Sequence, residues 1–253
     1  MLRYVLILGL VLVTPTAFAD KLQEIIDRGV LRVGTTGDWK PMSVRNTQNG
    51  RYEGFDIEWS TQLAADMNVE IEYVPTEWKT LVSGLTSDRY DISTSASISP
   101  SRALVTGYSE SYMEVSTVPL TLKENVDRFT SWASINQPDV TVAVTLGTTF
   151  DDEARSFFPD AEIIAVEAPA REYQDVLSGR ALVFITSNVE AATLIAQYPQ
   201  LTVIPVAEAR SRRPIAALLP QAEQTWINYV NHWVTLKKAS GYFDELGARW
   251  LGQ

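Results

Sequence analysis

Apolar and polar positions along the first half of the chain repeat in the order of strand, helix and strand. The segment LQEIIDRGVLRVGTT predicts a short helix, a turn at Gly29 and a strand. RYEGFDIEWSTQLAADM predicts an amphipathic helix that begins at Gly54, and the strand VEIEYVP, the helix EWKTLVSGLTSDRY and the strand DIST follow. This order is typical of a parallel sheet with helices on its faces.

A second alternating set follows in the sequence. Its predicted strands are VSTVPLTLK, VTVAV, AEIIAV and RALVFIT, and its helices are DDEARSFF, AREYQDVLSG and NVEAATLIAQY. The chain then returns as the extended segment LTVIPVAEARSRRPIAALLP and ends in helices. No low-complexity linker separates the sets, so we place the crossings near residues 113–118 and 205–214. The pattern predicts an α/β fold of two lobes, 20–115 with 210–253 and 116–209, that close on a ligand.

The N-terminal segment MLRYVLILGLVLVTPTAFA has the pattern of a secretory signal peptide. One basic residue, Arg3, precedes an apolar run, and an A-x-A sequence ends at Ala19. The apolar run is shorter than the roughly 20 residues that span a bilayer. We therefore predict cleavage after Ala19 and export to the periplasm.

Composition narrows the functional classes. The chain has no cysteine, which excludes a disulfide framework and cysteine-based metal sites. Its formal net charge of −10 argues against nucleic acid or an anionic membrane as partner. The single histidine, His232, lies in a predicted helix, and the sequence contains no P-loop or dinucleotide fingerprint. We expect a monomer without a metal or cofactor.

Several motifs, in order and spacing, carry a resemblance to a known family. They are VLRVGTTGDWKP, YEGFDIEWSTQLA, SASISPSR, YSESYM, INQPDVTVAVTLGTT and GYFDELGARW. Across essentially the whole exported chain, the sequence resembles the periplasmic solute-binding proteins of the polar amino-acid type (family 3), and within them the cyclohexadienyl dehydratase branch. The resemblance implies the type II periplasmic-binding-protein fold with a two-strand hinge. It also implies a small carboxylate-bearing ligand and an ABC permease in the inner membrane as partners.

The resemblance implies that Arg102 grips the ligand's carboxylate, with Ser95 and Ser97 as hydroxyl or backbone donors. A guanidinium matches a carboxylate as a bidentate fork. Without the family resemblance, Arg102 would be interpreted as a surface arginine in a turn.

Further ligand-binding residues follow from the same resemblance. Thr148 and Thr149 precede a predicted helix whose N-terminus is suited to an anion, although Thr149 is equally read as a simple cap. Trp39 and Trp78 hold the positions of aromatic residues that cover the ligand's side chain, and core packing is their alternative reading.

The chain departs from the family at the partner of the ligand's ammonium group. Amino-acid binders carry aspartates where this sequence has Leu182 and Ser187, so Ser187 would stand in for the usual anchor. A buried ammonium without a carboxylate is costly. Asp38, Glu77 or Asp151 are the candidates to supply one, and Asp38 is also a candidate turn residue.

The alternative function is that of a cyclohexadienyl (prephenate/arogenate) dehydratase, a carbon–oxygen lyase that needs a buried general acid. The resemblance implies that the dehydratase branch has its general-acid glutamate at the position of Phe150. Asp38, Glu77 or Asp151 would therefore have to act as the general acid in this chain. We rank a binding protein of an ABC importer first. The return crossing carries a basic cluster of Arg210, Arg212 and Arg213. We expect this cluster to form a solvated hinge surface, and the alternative is contact with a second anionic group on the ligand or with the permease.

Overall fold

The computed structural model describes residues 20–252. The predicted signal peptide, residues 1–19, lies outside the described residues. Within residues 20–252, no helix is long and apolar enough to cross a membrane.

Thirteen strands form the sheets within residues 20–252. They are β1 (Val30–Thr35), β2 (Asp38–Trp39), β3 (Ser43–Arg45), β4 (Tyr52–Glu53), β5 (Glu70–Pro75), β6 (Ile92–Ser97), β7 (Gly107–Tyr108), β8 (Met113–Leu122), β9 (Thr141–Thr145), β10 (Glu162–Val166), β11 (Val183–Ser187), β12 (Leu201–Val203) and β13 (Arg210–Leu219).

Helices connect most of these strands. They are α1 (Lys21–Arg28), α2 (Phe55–Asp66), α3 (Leu81–Thr86), α4 (Pro100–Ala103), α5 (Trp132–Ile135), α6 (Thr149–Phe157), α7 (Glu172–Leu177), α8 (Asn188–Gln197), α9 (Gln224–Ala239) and α10 (Tyr242–Trp250). Two 3₁₀ helices occupy Trp78–Thr80 and Lys123–Arg128. Their limits have local causes: in α1, Asp20 accepts a hydrogen bond from the Gln23 amide at 3.0 Å, and Gly29, at φ 71°, ends the helix.

The main sheet has the strand order β10-β9-β11-β8-β13-β6-β1-β5, with β12 paired to β8 and β7 to β13. At one end, β1 runs parallel to β5 and β6, and at the other, β9 runs parallel to β10 and β11. Antiparallel strands β8 and β13 join the two ends. The mixed α/β fold and its two lobes, each with a mostly parallel sheet, are as the sequence predicts.

Strands β8 and β13 form the connection between the lobes. Thr117 pairs with Arg210 and Met113 with Ile215, and the register shifts between Arg210 and Arg213. β8 continues into pairing with β11, whereas β13 continues into pairing with β6. Both crossing segments expected from the sequence therefore contribute to this pair. The lobe limits 20–115 with 210–253 and 116–209 remain a prediction.

The arginines of the return crossing have different environments. Arg210 lies over the rings of Trp132 and Phe157, at 4.9 and 4.7 Å from the ring centroids. Arg213 is buried and pairs with Glu153 at 2.7 Å, and only Arg212 has a largely exposed side chain. The expectation of a solvated hinge surface is thus wrong for Arg210 and Arg213, because aromatic rings and a carboxylate cover their guanidinium groups.

Separate apolar cores support the two ends of the sheet. One surrounds Trp59 and Trp226, which are fully buried, and also includes Trp233. Another surrounds Phe129 and Phe158. Each end of the sheet therefore buries its own apolar surface, as expected of a lobe.

A buried carboxylate ties the N-terminal helix to the strand that leads to the cleft. Asp91, just before β6, accepts hydrogen bonds from the Arg32 amide at 2.8 Å and the Arg32 Nη2 at 2.7 Å, and from Arg28. Its carbonyl accepts from Trp226 Nε1 at 3.0 Å. Asp91 therefore links α1, β1 and α9 to the start of β6. Glu24 and Asp88 lie close to Asp91, and the neighbouring basic side chains neutralise this acidic group.

Asp91→Asn is expected to lower the free energy of unfolding by about 3 kcal/mol, because it leaves the Arg28 and Arg32 guanidinium groups without their buried counter-ion. The measurement is denaturant unfolding followed by circular dichroism. Asp27→Asn, at an exposed site of α1, is the control and should change stability little. Equal stability of the two variants would contradict the assigned role of Asp91.

Candidate ligand-binding site

A cavity of about 440 Å³, partly open to solvent, lies where the two lobes face each other. Both lobes contribute to its walls. The lining residues are Trp39, Trp78, Ser95, Ser97 and Arg102 from the first lobe, and Thr145, Thr148, Thr149, Phe150, Arg171, Glu172, Ile185, Thr186 and Glu190 from the second. Among the residues predicted to bind ligand, Ser187 and Asp38 are absent from these walls.

Arg102 reaches the cavity from the short helix α4. Ser99 caps this helix and Pro100 is its first residue. The Arg102 guanidinium donates to the carbonyls of Ser97 at 3.4 Å and Gly147 at 3.3 Å. It forms no ion pair with any side chain in residues 20–252. Burial lowers the pKa of Arg102, so a ligand carboxylate there would supply the missing counter-ion.

Ser95 and Ser97 differ in what they offer. Ser95 has a left-handed backbone, at φ 50°, which turns its hydroxyl towards Asp56 at 2.5 Å and its amide towards the Tyr112 hydroxyl at 2.7 Å. Both Ser95 donors are therefore engaged within the protein. Ser97 keeps its hydroxyl at the cavity, where it accepts a bond from Thr149 at 3.4 Å. Burial raises the pKa of Asp56 to about 7.

The N-terminus of α6 forms the facing wall. Thr148, rather than Thr149, is the cap, and its hydroxyl accepts from the Asp151 amide and donates to the Thr145 carbonyl at 2.7 Å. The Thr149 hydroxyl bridges the lobes, because it accepts from Arg213 at 2.6 Å and donates to Ser97.

Trp39 and Trp78 form an apolar edge of the cavity. Their rings meet edge to face, with centroids 6.0 Å apart. Trp39 Nε1 donates to the Ser187 hydroxyl at 3.4 Å, and Trp78 Nε1 donates to Asp38 at 3.0 Å. Ser187 and Asp38 thus lie behind the indoles and orient them.

Ser187 also accepts from the Glu190 amide at 3.1 Å and is fully buried. It is the cap of α8, so its hydroxyl serves the helix and Trp39. The structure does not bring Ser187 to the position of an ammonium anchor.

The three acids predicted as alternatives lie away from the cavity walls. Asp38 and Glu77 line a neighbouring cavity of about 290 Å³ beside Trp78, and the Glu77 side chain is half exposed. Asp151 is buried at the start of α6, where it accepts from Arg155 at 2.8 Å.

Sequence reasoning missed a charged group on the second-lobe wall. We call Arg171, Glu172, Glu190 and Asp38 the Arg171 cluster. Arg171 Nη2 lies 2.9 Å from Glu190 and 3.2 Å from Glu172, and Nη1 lies 3.8 Å from Asp38. The signal was present, because AREYQ and NVEAA open helices near the sheet edge where ligands gather.

The cluster has opposite effects on its two glutamates. Burial raises the pKa of Glu190 to about 8, although the Arg171 guanidinium opposes this. Burial acts in the same direction on Glu172, but Arg171 and the Thr145 hydroxyl outweigh it and hold its pKa below the usual value. One guanidinium thus keeps Glu172 ionised while Glu190 tends to keep its proton.

Direct contacts hold the lobes together around the cavity. Lys79 pairs with Glu167 across the cleft, and Lys40 donates to Gln197 at 3.1 Å. Gly147, at φ 77°, lies so close to Lys79 that a Cβ there would be 2.6 Å from the Lys79 Cα. The structure therefore represents a closed cleft, and Gly147 permits the closest approach of the backbones.

Comparison with known proteins agrees with this architecture. The model of the bacterial extracellular solute-binding proteins, family 3, matches residues 31–253. Cyclohexadienyl dehydratase of Pseudomonas aeruginosa is 32% identical over 233 residues, which cover 92% of this chain and 86% of the relative. The L-cystine-binding protein TcyJ of Escherichia coli is 26% identical and covers 93% of this chain and 88% of that relative.

Solved structures give the same result. The ancestral amino acid-binding protein AncCDT-1, a precursor of cyclohexadienyl dehydratase, superposes with a TM-score of 0.85 at 35% identity, over 91% of this chain and 99% of that chain. A mutant of the T. maritima ArgBP has a TM-score of 0.84 at 23% identity, over 92% of this chain and all of its own, and shows the fold alone.

Gly147→Ala is expected to hold the cleft open, because its Cβ would collide with the Lys79 backbone. Small-angle X-ray scattering should then give a larger radius of gyration than for the unmodified protein. Gly179→Ala is a matched control, since Gly179 has the same φ of 77° but no atom within 4 Å of its added Cβ. Equal radii for the two variants would show that the Gly147 contact does not govern closure.

Proposed function

The chain belongs to the bacterial extracellular solute-binding proteins of family 3, and from this premise we propose that it captures a small carboxylate-bearing metabolite between its lobes and delivers it to an ABC importer. The ligand is an amino acid or a close analogue. The TcyJ relative and a probable amino-acid ABC transporter-binding protein of Haemophilus influenzae support this class. The proposed location is the periplasm, in agreement with the predicted signal peptide.

The observation that carries the proposal is the Arg102 guanidinium at the inter-lobe cavity. A partly buried cation that donates only to carbonyl oxygens, at 3.3 and 3.4 Å, offers its charge to an incoming anion. In the proposed complex, Arg102 holds the ligand's carboxylate, with Ser97 and the N-terminus of α6 at Thr148 and Thr149 nearby.

The apolar part of the ligand lies against Trp39, Trp78 and Phe150, which share the cavity wall. Because contacts between the lobes restrict access to the cavity, the ligand exchanges through opening of the β8–β13 hinge. A monomer is sufficient for this mechanism, since both walls come from one chain.

A second candidate function is that of a cyclohexadienyl dehydratase, favoured by the 32% identity to the Pseudomonas enzyme. Such catalysis requires a general acid within reach of the leaving hydroxyl. Asp38, Glu77 and Asp151 do not line the cavity, and the carboxyl groups that do, Glu172 and Glu190, are bound to Arg171. Glu190, whose pKa burial raises to about 8, is the carboxyl group of these walls that could serve as that acid, and we rank binding first because Arg171 already engages it.

Arg102→Ala is expected to abolish ligand-induced thermal stabilisation, because it removes the guanidinium group that binds the ligand's carboxylate. For the unmodified protein, an L-amino acid ligand at about 100 times its Kd should add about 2.7 kcal/mol of stability. Unfolding without ligand should change little, and the control Arg51→Ala, at an exposed site, should respond to ligand normally. Undiminished stabilisation of Arg102→Ala would overturn the proposal.

Incubation with prephenate tests the second candidate. We expect phenylpyruvate to form no faster with the protein than without it, as measured by absorbance and chromatography. Formation that depends on protein concentration and is lost in Arg102→Ala would instead establish the dehydratase function.

A further inference from the structure

The charges on the cavity walls are separated into two poles. Arg102 provides a positive pole on the first lobe, near the Gly147 carbonyl. The Arg171 cluster lies on the second lobe apart from Asp38, which approaches Arg171 from β2 of the first lobe, and both glutamates line the cavity. A ligand that fits both poles carries an anionic and a cationic group.

The carboxyl groups of the Arg171 cluster outnumber its one cation. Three carboxylates, Glu172, Glu190 and Asp38, surround one guanidinium, and both glutamates are almost fully buried. The groups facing Glu190 are Arg171 and Glu172 at α7, Asp38 on β2 and the Thr186 hydroxyl on β11. No second cation is among them. A buried carboxylate without its own counter-ion is costly, so this wall favours a positive charge from outside.

The glutamates also keep acceptor capacity. A carboxylate accepts about four hydrogen bonds. Glu190 accepts from Arg171 Nη2 at 2.9 Å and from Thr186 at 2.6 Å. Glu172 accepts from Arg171 and from Thr145 at 2.6 Å. Glu190 therefore keeps about two of these positions and Glu172 about one, which together match the three donors of an ammonium group.

We propose that Glu190 and Glu172 form the cation subsite of this cleft, which therefore selects a ligand with an amino group and a carboxylate over its 2-oxo or 2-hydroxy analogue. This inference rests on the proposed function. It assigns the amino group to residues of α7 and α8 and leaves Ser187 as a helix cap.

Binding at this subsite changes the protonation of Glu190. Because burial raises the pKa of Glu190 to about 8, the empty cleft holds a proton there at neutral pH. An ammonium favours the ionised carboxylate, so the proton leaves to solvent as the ion pair forms. Amino-acid affinity should accordingly rise as the pH increases towards 8, by up to about tenfold per pH unit, and level off above it.

The test is isothermal titration calorimetry of the whole protein with L-amino acids and their 2-oxo analogues at about pH 6, 7 and 8. We expect the amino acid to bind at least about tenfold more tightly than its analogue and to release close to one proton at about pH 7. Proton release is measured by comparing buffers of different ionisation enthalpy. Analogue affinity should not rise with pH in this way.

Glu190→Gln should remove most of the preference for the amino acid and flatten its pH dependence, while analogue binding persists and shows that the variant is folded. Glu172→Gln provides a second test of the same preference. Glu162→Gln, at an exposed position of β10, is the matched control and should keep the selectivity.

The outcomes separate this inference from the proposed function. Equal binding of amino acids and 2-oxo analogues by the unmodified protein would overturn the cation subsite but leave the carboxylate-binding function intact. Selectivity that survives in both glutamine variants would also overturn the subsite. If neither class of ligand binds, the proposed function fails together with the inference.

Discussion

The antiparallel pairing of β8 with β13 is the constraint on which the two-lobed arrangement depends. Each strand pairs antiparallel with a strand of one lobe, β11 or β6, and with its counterpart in the inter-lobe pair. The carboxyl ends of β6 and β9 consequently face each other across the cleft, with α4 and α6 beginning close beyond them. A ligand site composed of two helix starts and one arginine follows from that geometry.

A buried ion pair connects this hinge to the cavity. Arg213, on β13, pairs with Glu153 of α6 and donates to the Thr149 hydroxyl, which in turn contacts Ser97. Its guanidinium also lies 5.0 Å from the centroid of the Phe150 ring. The helix that provides the second wall of the cavity is therefore held by a residue of the hinge, so that bending of β13 and the position of α6 are mechanically linked.

The sequence pattern predicted what depends on local periodicity and order. Alternating segments identified the long strands of the main sheet but not the short strands β2, β3, β4 and β7. The ligand roles of Trp39, Trp78 and Arg102 came from the family resemblance, and all three residues line the cavity. The roles of Ser187, Asp38 and Asp151 were harder to predict, since a capping side chain and a ligand-facing side chain have the same local sequence. Arg171, Glu172 and Glu190 were missed because their meeting depends on the packing of α7 beside α8, which no short-range pattern encodes.

The contacts that close the cleft involve protein atoms alone. The Lys79 pair with Glu167, the Arg102 bond to the Gly147 carbonyl and the Trp39 bond to Ser187 all join one lobe directly to the other. Such contacts stabilise the shut form, so the free energy of closure comes from the protein as well as from any bound ligand. Their summed strength would lengthen the time that a solute stays in the cleft, because all of them must break before the lobes can open.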